Sequence, residues 1–119
     1  MLTRNEAVLA ANQWVDAWNA HDPDRVVEHF ADDVVIHSPV AAQLRPESNG
    51  TLCGKPDVLA YYRAGLAASP GLRFTLVEVC TSVDGITIVY RNHRNTIVTE
   101  ALTFDGDGRA TEVKVSYGA

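Results

Sequence analysis

The fold of this chain is decided by the stretch Glu100-Ala101-Leu102-Thr103-Phe104-Asp105-Gly106-Asp107-Gly108. Its first half alternates, so that Glu100, Leu102 and Phe104 share one face of a strand while Ala101 and Thr103 share the other. Its second half combines aspartate with glycine, which is a strong signal for a hairpin turn. The stretch therefore predicts a strand over residues 97–104 that turns back into a final strand over residues 110–117.

Two further strands are predicted immediately before this hairpin. Residues 72–82 form the first and residues 86–94 the second, with Val83-Asp84-Gly85 as the turn between them. Consecutive strands joined by short turns pair as an antiparallel meander. The second half of the chain therefore predicts one antiparallel sheet.

The first half of the chain predicts three helices. Thr3 and Glu6 have the spacing of a capping box before a helix over residues 4–20. Asp22 and Pro23 are typical of the start of a second, short helix. Pro56 lies near the start of a third. The apolar positions recur at three- and four-residue steps, as in Val8, Ala11, Trp14, Val15 and Trp18, and again in Val58, Leu59, Tyr62 and Leu66.

Two segments between these helices carry other signals. Residues 31–33 are interpreted as a turn, and the β-branched run 34–38 as a strand that ends at Pro39. Residues 40–53 are polar and are interpreted as an irregular loop. Because long loops in compact domains often serve as lids or binding loops, this one is a candidate wall of a site.

Together these elements predict one α+β domain over residues 1–119, with helices on one face of a curved antiparallel sheet that encloses a pocket. The net charge of −5 argues against a nucleic-acid surface. No apolar run is long enough for a membrane helix, and no signal pattern opens the chain, so we expect a cytoplasmic protein. Cys53 and Cys80 are expected to be free and buried. No metal-ligand spacing is present, and neither a metal nor a cofactor is expected.

Three stretches resemble one known family. Residues 14–22 (WVDAWNAHD) resemble its first helix, residues 30–40 (FADDVVIHSPV) its first strand, and residues 100–108 (EALTFDGDG) its late hairpin. The family is the nuclear-transport-factor-two-like superfold, in its SnoaL-like and ketosteroid-isomerase-like branch. The resemblance implies a cone-shaped barrel and a homodimer formed through the outer face of the sheet. It does not imply one chemistry, because this superfold hosts isomerases, cyclases, dehydratases, hydrolases and non-catalytic binders.

The resemblance carries only part of the ketosteroid isomerase machinery to this chain. Glu100 aligns with the oxyanion-hole acid of that enzyme. Ser38 stands where the general-base aspartate would be, and Trp14 stands where the oxyanion-hole tyrosine would be. A serine hydroxyl does not act as a base unaided, and an indole donates a hydrogen bond but releases no proton. Steroid isomerisation by the known mechanism is therefore not expected.

Glu100 is the main candidate for a catalytic residue, because it is the one carboxyl group in an apolar row. A buried carboxyl group either finds a partner or stays protonated. A protonated carboxyl group can donate a hydrogen bond to a carbonyl oxygen. The alternative is a structural role, in an ion pair with an arginine or a hydrogen bond to a tyrosine hydroxyl.

His37 and Ser38 are the candidates for supplying a base, His37 directly and Ser38 by holding a water molecule. If Ser38 faces the pocket, alternation turns His37 away, unless a bulge before Pro39 redirects it. A sheet-face or interface role for His37 is the alternative.

The predicted ligand-binding wall consists of Trp14, Trp18, Tyr62, Tyr90 and Asn92. The two tryptophans lie one helical turn apart, and their alternative role is core packing. Only one of the adjacent Tyr61 and Tyr62 is expected to point inward. The run Arg91–Arg94 is interpreted as a solvated strand end.

Two functions follow from these residues. The first is an enzyme that moves a proton on a small, mostly apolar carbonyl compound, by isomerisation, cyclisation or dehydration. The second is a non-catalytic module that binds a hydrophobic ligand or only forms a structural dimer. The carboxyl group of Glu100 favours the first function, whereas the missing base at position 38 favours the second.

Overall fold

The computed structural model describes residues 1–119, and its elements are helices in the first half and strands mainly in the second. The α-helices are α1 (Arg4–Asn19), α2 (Pro23–Val26), α3 (Pro39–Leu44) and α4 (Lys55–Ala68), with a 3-10 turn at Pro46–Ser48. The strands are β1 (Phe30–His37), β2 (Thr51–Cys53), β3 (Thr75–Thr81), β4 (Gly85–Arg91), β5 (Ile97–Phe104) and β6 (Ala110–Tyr117). The predicted helices and the four-strand meander are confirmed within a few residues at their ends.

All six strands form one sheet in the order β2-β1-β6-β5-β4-β3. The pairs within the meander are antiparallel, as predicted. The pair β1–β6 is parallel, because β1 lies beside the last strand of the meander rather than beside the first. The sheet is curved but not closed, since β2 and β3 remain as its two edges. The barrel implied by the family resemblance is thus an open one.

The segment between α2 and α4 differs most from the prediction. Residues 31–33 are not a turn, because β1 begins at Phe30 and passes through them with a register shift against β6. Residues 40–53 are not irregular, because they contain α3, the 3-10 turn and β2. Pro39 both ends the strand and occupies the first turn of α3, a position where its missing N–H group costs no hydrogen bond.

The two cysteines are free but exposed, so the prediction that they are buried was wrong. Each lies on an edge strand and alternates with a residue that faces inward. Leu52 is buried beside Cys53, and Val79 is half-buried beside Cys80. Alternation therefore turns both thiols to the outer face of the sheet.

The core lies between the concave face of the sheet and the helices. The capping box at Thr3 and Glu6 is present and starts α1, whose apolar stripe includes Ala11, Trp14 and Trp18. The sheet contributes fully buried aliphatic side chains, namely Val34, Ile36, Ile86, Ile88, Val98 and Val113. No helix of the protein is long and apolar enough to cross a membrane. No group of three or more His, Cys, Asp or Glu side chains is placed to hold a metal ion.

Candidate functional site

A cavity of about 340 Å³ lies between the concave face of the sheet and the helices α1, α3 and α4. Its volume is at the lower end of the range typical of small-molecule sites. Most of its wall is apolar. Of the residues predicted as a site, six lie on this wall: Trp18, Ser38, Tyr62, Tyr90, Asn92 and Glu100. Their roles remain a prediction, but the structure brings them to one place.

Glu100 is the buried acid of this wall. Its side chain points inward from β5, next to Val98 and opposite Ile88 on β4, and the residue is only 4% exposed. The hydroxyl of Tyr90 donates a hydrogen bond of 2.6 Å to Oε2 of Glu100, and no other hydrogen bond reaches this carboxyl group. Of the two structural partners predicted as alternatives, the tyrosine is therefore present and the arginine is not.

Burial raises the pKa of Glu100 to about 8, and the hydrogen bond from Tyr90 offsets only part of this rise. Removal from water disfavours the charged form of a carboxyl group. The same burial raises the pKa of Tyr90, and the charge of Glu100 raises it further. Near neutral pH most of Glu100 is therefore protonated, and a minor fraction is ionised.

An aromatic cluster surrounds this acid. Phe74 packs against Tyr90 with ring centroids 4.1 Å apart, and Trp18 packs edge-on against Tyr62 at 4.8 Å. Trp14 is part of the cluster, with its ring 5.4 Å from that of Tyr90, but it does not line this cavity. Trp14 instead borders a second space of about 320 Å³. It is thus not among the residues that line the cavity of Glu100.

Two buried donors on the cavity wall have no acceptor within the protein. They are the indole N–H of Trp18 and the hydroxyl of Tyr62. An unsatisfied buried polar group costs on the order of 1–3 kcal/mol. Both atoms are fully covered by neighbouring side chains, so an oxygen acceptor can reach them only if those side chains move.

Ser38 and Tyr61 form a second polar pair on the wall. Their hydroxyl oxygens are 3.3 Å apart, and both residues are buried. The prediction that only one of Tyr61 and Tyr62 points inward was wrong, since both residues are buried and both line the cavity.

His37 lies on the outer face of the sheet and not in the cavity. Its neighbours Ile36 and Ser38 are buried, so regular alternation holds through Pro39 and no bulge redirects the imidazole. Its Nδ1 lies 3.0 Å from Oγ1 of Thr51, and its Nε2 lies 3.5 Å from a carboxylate oxygen of Glu112. As a base for a ligand in the cavity, His37 is out of reach.

The mouth of the cavity includes the turn between β4 and β5. Oδ1 of Asn92 accepts hydrogen bonds from the backbone N–H groups of Arg94 and Thr96, so this predicted ligand residue also shapes the turn. His93 and Arg94 line the cavity there, and both residues are exposed, as predicted for a solvated segment. They lie in a turn and not in a strand end, because β4 stops at Arg91.

Tyr117 is a further residue of the wall that the sequence argument missed. Its position could have been predicted, because alternation along β6 places it on the same inward face as Val113 and Val115. Burial and the charge of Glu100 both raise the pKa of Tyr117. It is therefore a donor near neutral pH.

Residues 11–117 match the SnoaL-like domain. The chain belongs to the SnoaL-like family. A SnoaL-like protein of unknown function from Burkholderia thailandensis has the same fold, with 33% identity, complete coverage of both chains and a TM-score of 0.93. No curated protein matches the sequence.

More distant solved structures share the fold of this SnoaL-like protein. AclR of Streptomyces galilaeus, described as a candidate hydroxylase, is 18% identical with a TM-score of 0.74, and the match covers 98% of this chain and 91% of that one. A candidate isomerase of the SnoaL-like family from Agrobacterium tumefaciens is 16% identical with a TM-score of 0.74, over 95% and 97% of the two chains. The predicted nuclear-transport-factor-two-like fold and SnoaL-like membership are thus confirmed.

Proposed function

We propose that this SnoaL-like protein binds a small, mostly apolar carbonyl compound in the cavity and isomerises it by proton transfer. The observation that carries the proposal is the carboxyl group of Glu100, buried in an apolar wall with a pKa raised to about 8. Strongly perturbed acids in cavities are candidates for functional groups. A pKa close to the working pH is also the most effective one for a group that both takes and returns a proton.

The chemistry needs only one titrating group. Ionised Glu100 takes a proton from the carbon next to the carbonyl, and the C–H electron pair moves into the enolate. Once the side chains that cover them move apart, the hydroxyl of Tyr62 and the indole N–H of Trp18, which lack acceptors within the protein, hold the oxygen that gains charge. The carboxyl group then returns the proton to another carbon, so Glu100 ends in the state in which it began.

The direct test follows exchange of carbon-bound protons for deuterium. Simple ketones and steroid enones are incubated with the protein in D₂O, and the label is followed by NMR. We expect exchange to rise with pH through about 8 and to fall by roughly 100-fold or more in Glu100→Gln. The matched control is Glu112→Gln, since Glu112 lies on the neighbouring strand but on the outer face. Exchange that does not respond to Glu100→Gln would contradict the proposal.

One observation favours the alternative, a protein that binds such a compound without turnover. Apart from Tyr90, no titratable side chain is hydrogen-bonded to Glu100. Without a second group, the carboxyl serves only as a donor to a bound oxygen. A thermal-shift response to carbonyl compounds that survives in Glu100→Gln, whose amide still donates a hydrogen bond, but is lost in Glu100→Met, with no deuterium exchange, would select this function.

We further propose that two copies pair through the outer face of the sheet, as the family resemblance implies. Short side chains on β4 and β5 support this, because Thr87, Thr99 and Ala101 leave a low central surface. Light scattering is expected to give twice the chain mass of 12.9 kDa, and Ala101→Arg is expected to halve it. A monomer at all concentrations refutes the pairing.

A further inference from the structure

The charges around the cavity are unevenly placed. The protein carries a net charge of −5, yet the only ionisable groups of the cavity wall besides Glu100 and the tyrosines are Arg94 and His93 at the mouth. Arg94 makes no ion pair within the protein. An acidic protein therefore presents an unpaired cation at the entrance to an apolar space.

The turn that carries Arg94 is held in place. The side chain of Asn92 accepts the backbone N–H groups of Arg94 and Thr96, and Asn95 adopts a left-handed conformation with a φ of 61°. Asn, Asp and Gly tolerate that conformation better than other residues. Arg94 thus lies in a turn whose backbone is held by hydrogen bonds.

The acid and the turn that carries the cation are separated along β5. Glu100 is three residues along β5 from Ile97, which is roughly 10 Å at about 3.3 Å per residue, and the turn lies beyond Ile97. The wall between them, which includes Val98 and Val115, is apolar. A ligand that contacts both the acid and the turn must be elongated, with an apolar middle.

We propose that the compound bound in the cavity carries a carboxylate, which lies against Arg94 at the mouth while its carbonyl group reaches Glu100. This assignment rests on the proposed function and adds the class of substrate, an elongated oxo acid. A guanidinium group matches the two oxygens of a carboxylate. One arginine with one histidine suits a singly charged group rather than a phosphate.

The test uses 9-oxodecanoic acid and its methyl ester, whose carbonyl groups lie at the same distance from the chain end. Affinities are measured by calorimetry for the wild type, Arg94→Gln and Glu100→Met, which removes the donor at position 100. Arg109→Gln is the matched control, because Arg109 follows the turn at the opposite end of β5 and removes the same charge. We expect the acid to bind about five- to tenfold more weakly to Arg94→Gln, with the ester and the control unaffected. The loss should shrink as salt rises above about 0.15 M.

The outcomes separate the two proposals. If Arg94→Gln leaves the affinity of the acid unchanged, or weakens acid and ester equally, the carboxylate assignment is overturned. If in that case Glu100→Met still weakens the binding of both compounds, the proposed site survives. If neither compound binds to the wild type, both proposals are overturned for oxo compounds of this length.

Discussion

Glu100 and Glu112 lie on neighbouring strands of the same sheet but on opposite faces. Glu100 on the concave face is 4% exposed and bonded only to Tyr90. The side chain of Glu112 on the outer face is 56% exposed and lies 3.5 Å from His37. The same residue type is an acid with a raised pKa on one face and an exposed side chain beside a histidine on the other. The face of the sheet on which the side chain lies decides its chemistry. That face is set by the alternation of side chains along the strand.

The difference between the faces extends to their neighbours. Around Glu100 most side chains are aromatic or aliphatic, so the carboxyl group has few polar neighbours. Around Glu112 they are short or charged, as with Lys114 and Thr103. Exposed ion pairs contribute about 0–1 kcal/mol to stability, whereas burial of an ionised carboxyl group costs several times as much. Four predictions test this contrast.

The largest effect is expected in the pH dependence of stability. The carboxyl group of Glu100 has a pKa of about 8 in the folded chain against an ordinary value of 4.5. Between these two values the folded state binds more protons than the unfolded state, so the free energy of unfolding falls as pH rises and levels off above about 8. From pH 5 to pH 9 the wild type should lose on the order of 4 kcal/mol relative to Glu100→Gln. Urea unfolding at several pH values measures this loss.

Glu112→Gln is the control for that measurement. Because Glu112 is exposed, this variant should follow the pH profile of the wild type. If the free energy of unfolding changes with pH in the same way for the wild type and Glu100→Gln, the carboxyl group is not desolvated in solution. That result would contradict the proposed difference between the two faces.

The second largest effect on the free energy of unfolding is expected at one of two adjacent residues of β4. Ile88 is fully buried opposite Glu100, and Thr87 beside it faces outward. Ile88→Ala should lower the free energy of unfolding by about 3 kcal/mol, because it leaves a cavity in the wall. Thr87→Ala should change it by less than about 0.5 kcal/mol. Both variants are compared in the Ala101→Arg background, in which the proposed pairing through the outer face is expected to be absent. Equal losses in denaturant unfolding there would contradict the contrast between the faces.

Much of this division was predictable from the sequence. Alternation in residues 97–104 placed Glu100 inward, and the same rule placed His37 outward once Ser38 was taken as inward. The helix caps at Thr3 and Asp22 and the hairpin at residues 105–108 also came from local signals. These features depend on a few neighbouring residues, which is why local patterns were sufficient.

The remaining features depend on contacts that are distant in the sequence. β2 has three residues and exists because it pairs with β1 across an intervening helix. The exclusion of Trp14 from the cavity follows from where Phe74 and Tyr90 pack, and neither neighbours it in the chain. The position of Arg94 at the mouth follows from the end of β4 and the curvature of the sheet. No periodicity in the sequence reports such contacts.

A smaller effect, of opposite sign, is expected for Tyr62→Phe. The hydroxyl of Tyr62 is buried without an acceptor, so its removal should raise the free energy of unfolding by about 0.5–1 kcal/mol. Tyr61→Phe is the matched control, since its hydroxyl is paired with Ser38 and its loss should destabilise by about 1 kcal/mol. If Tyr62→Phe is stabilising but slows deuterium exchange, the hydroxyl is kept for the ligand and not for the fold. Destabilisation by Tyr62→Phe would contradict this.

The smallest effect is expected for His37→Gln. Its ring contacts Thr51 and Glu112, and both contacts lie on the exposed outer face. The free energy of unfolding should change by less than about 1 kcal/mol, and the rate of deuterium exchange should stay at the wild-type value. The sequence left two roles open for His37, a base for the ligand and a residue of the sheet face. This variant distinguishes them, because removal of a base that acts on a ligand in the cavity would slow the exchange. A folded His37→Gln protein with slowed exchange would show that the outer face takes part in the chemistry. An unchanged rate would leave Glu100 as the only proton-transferring group, on the concave face.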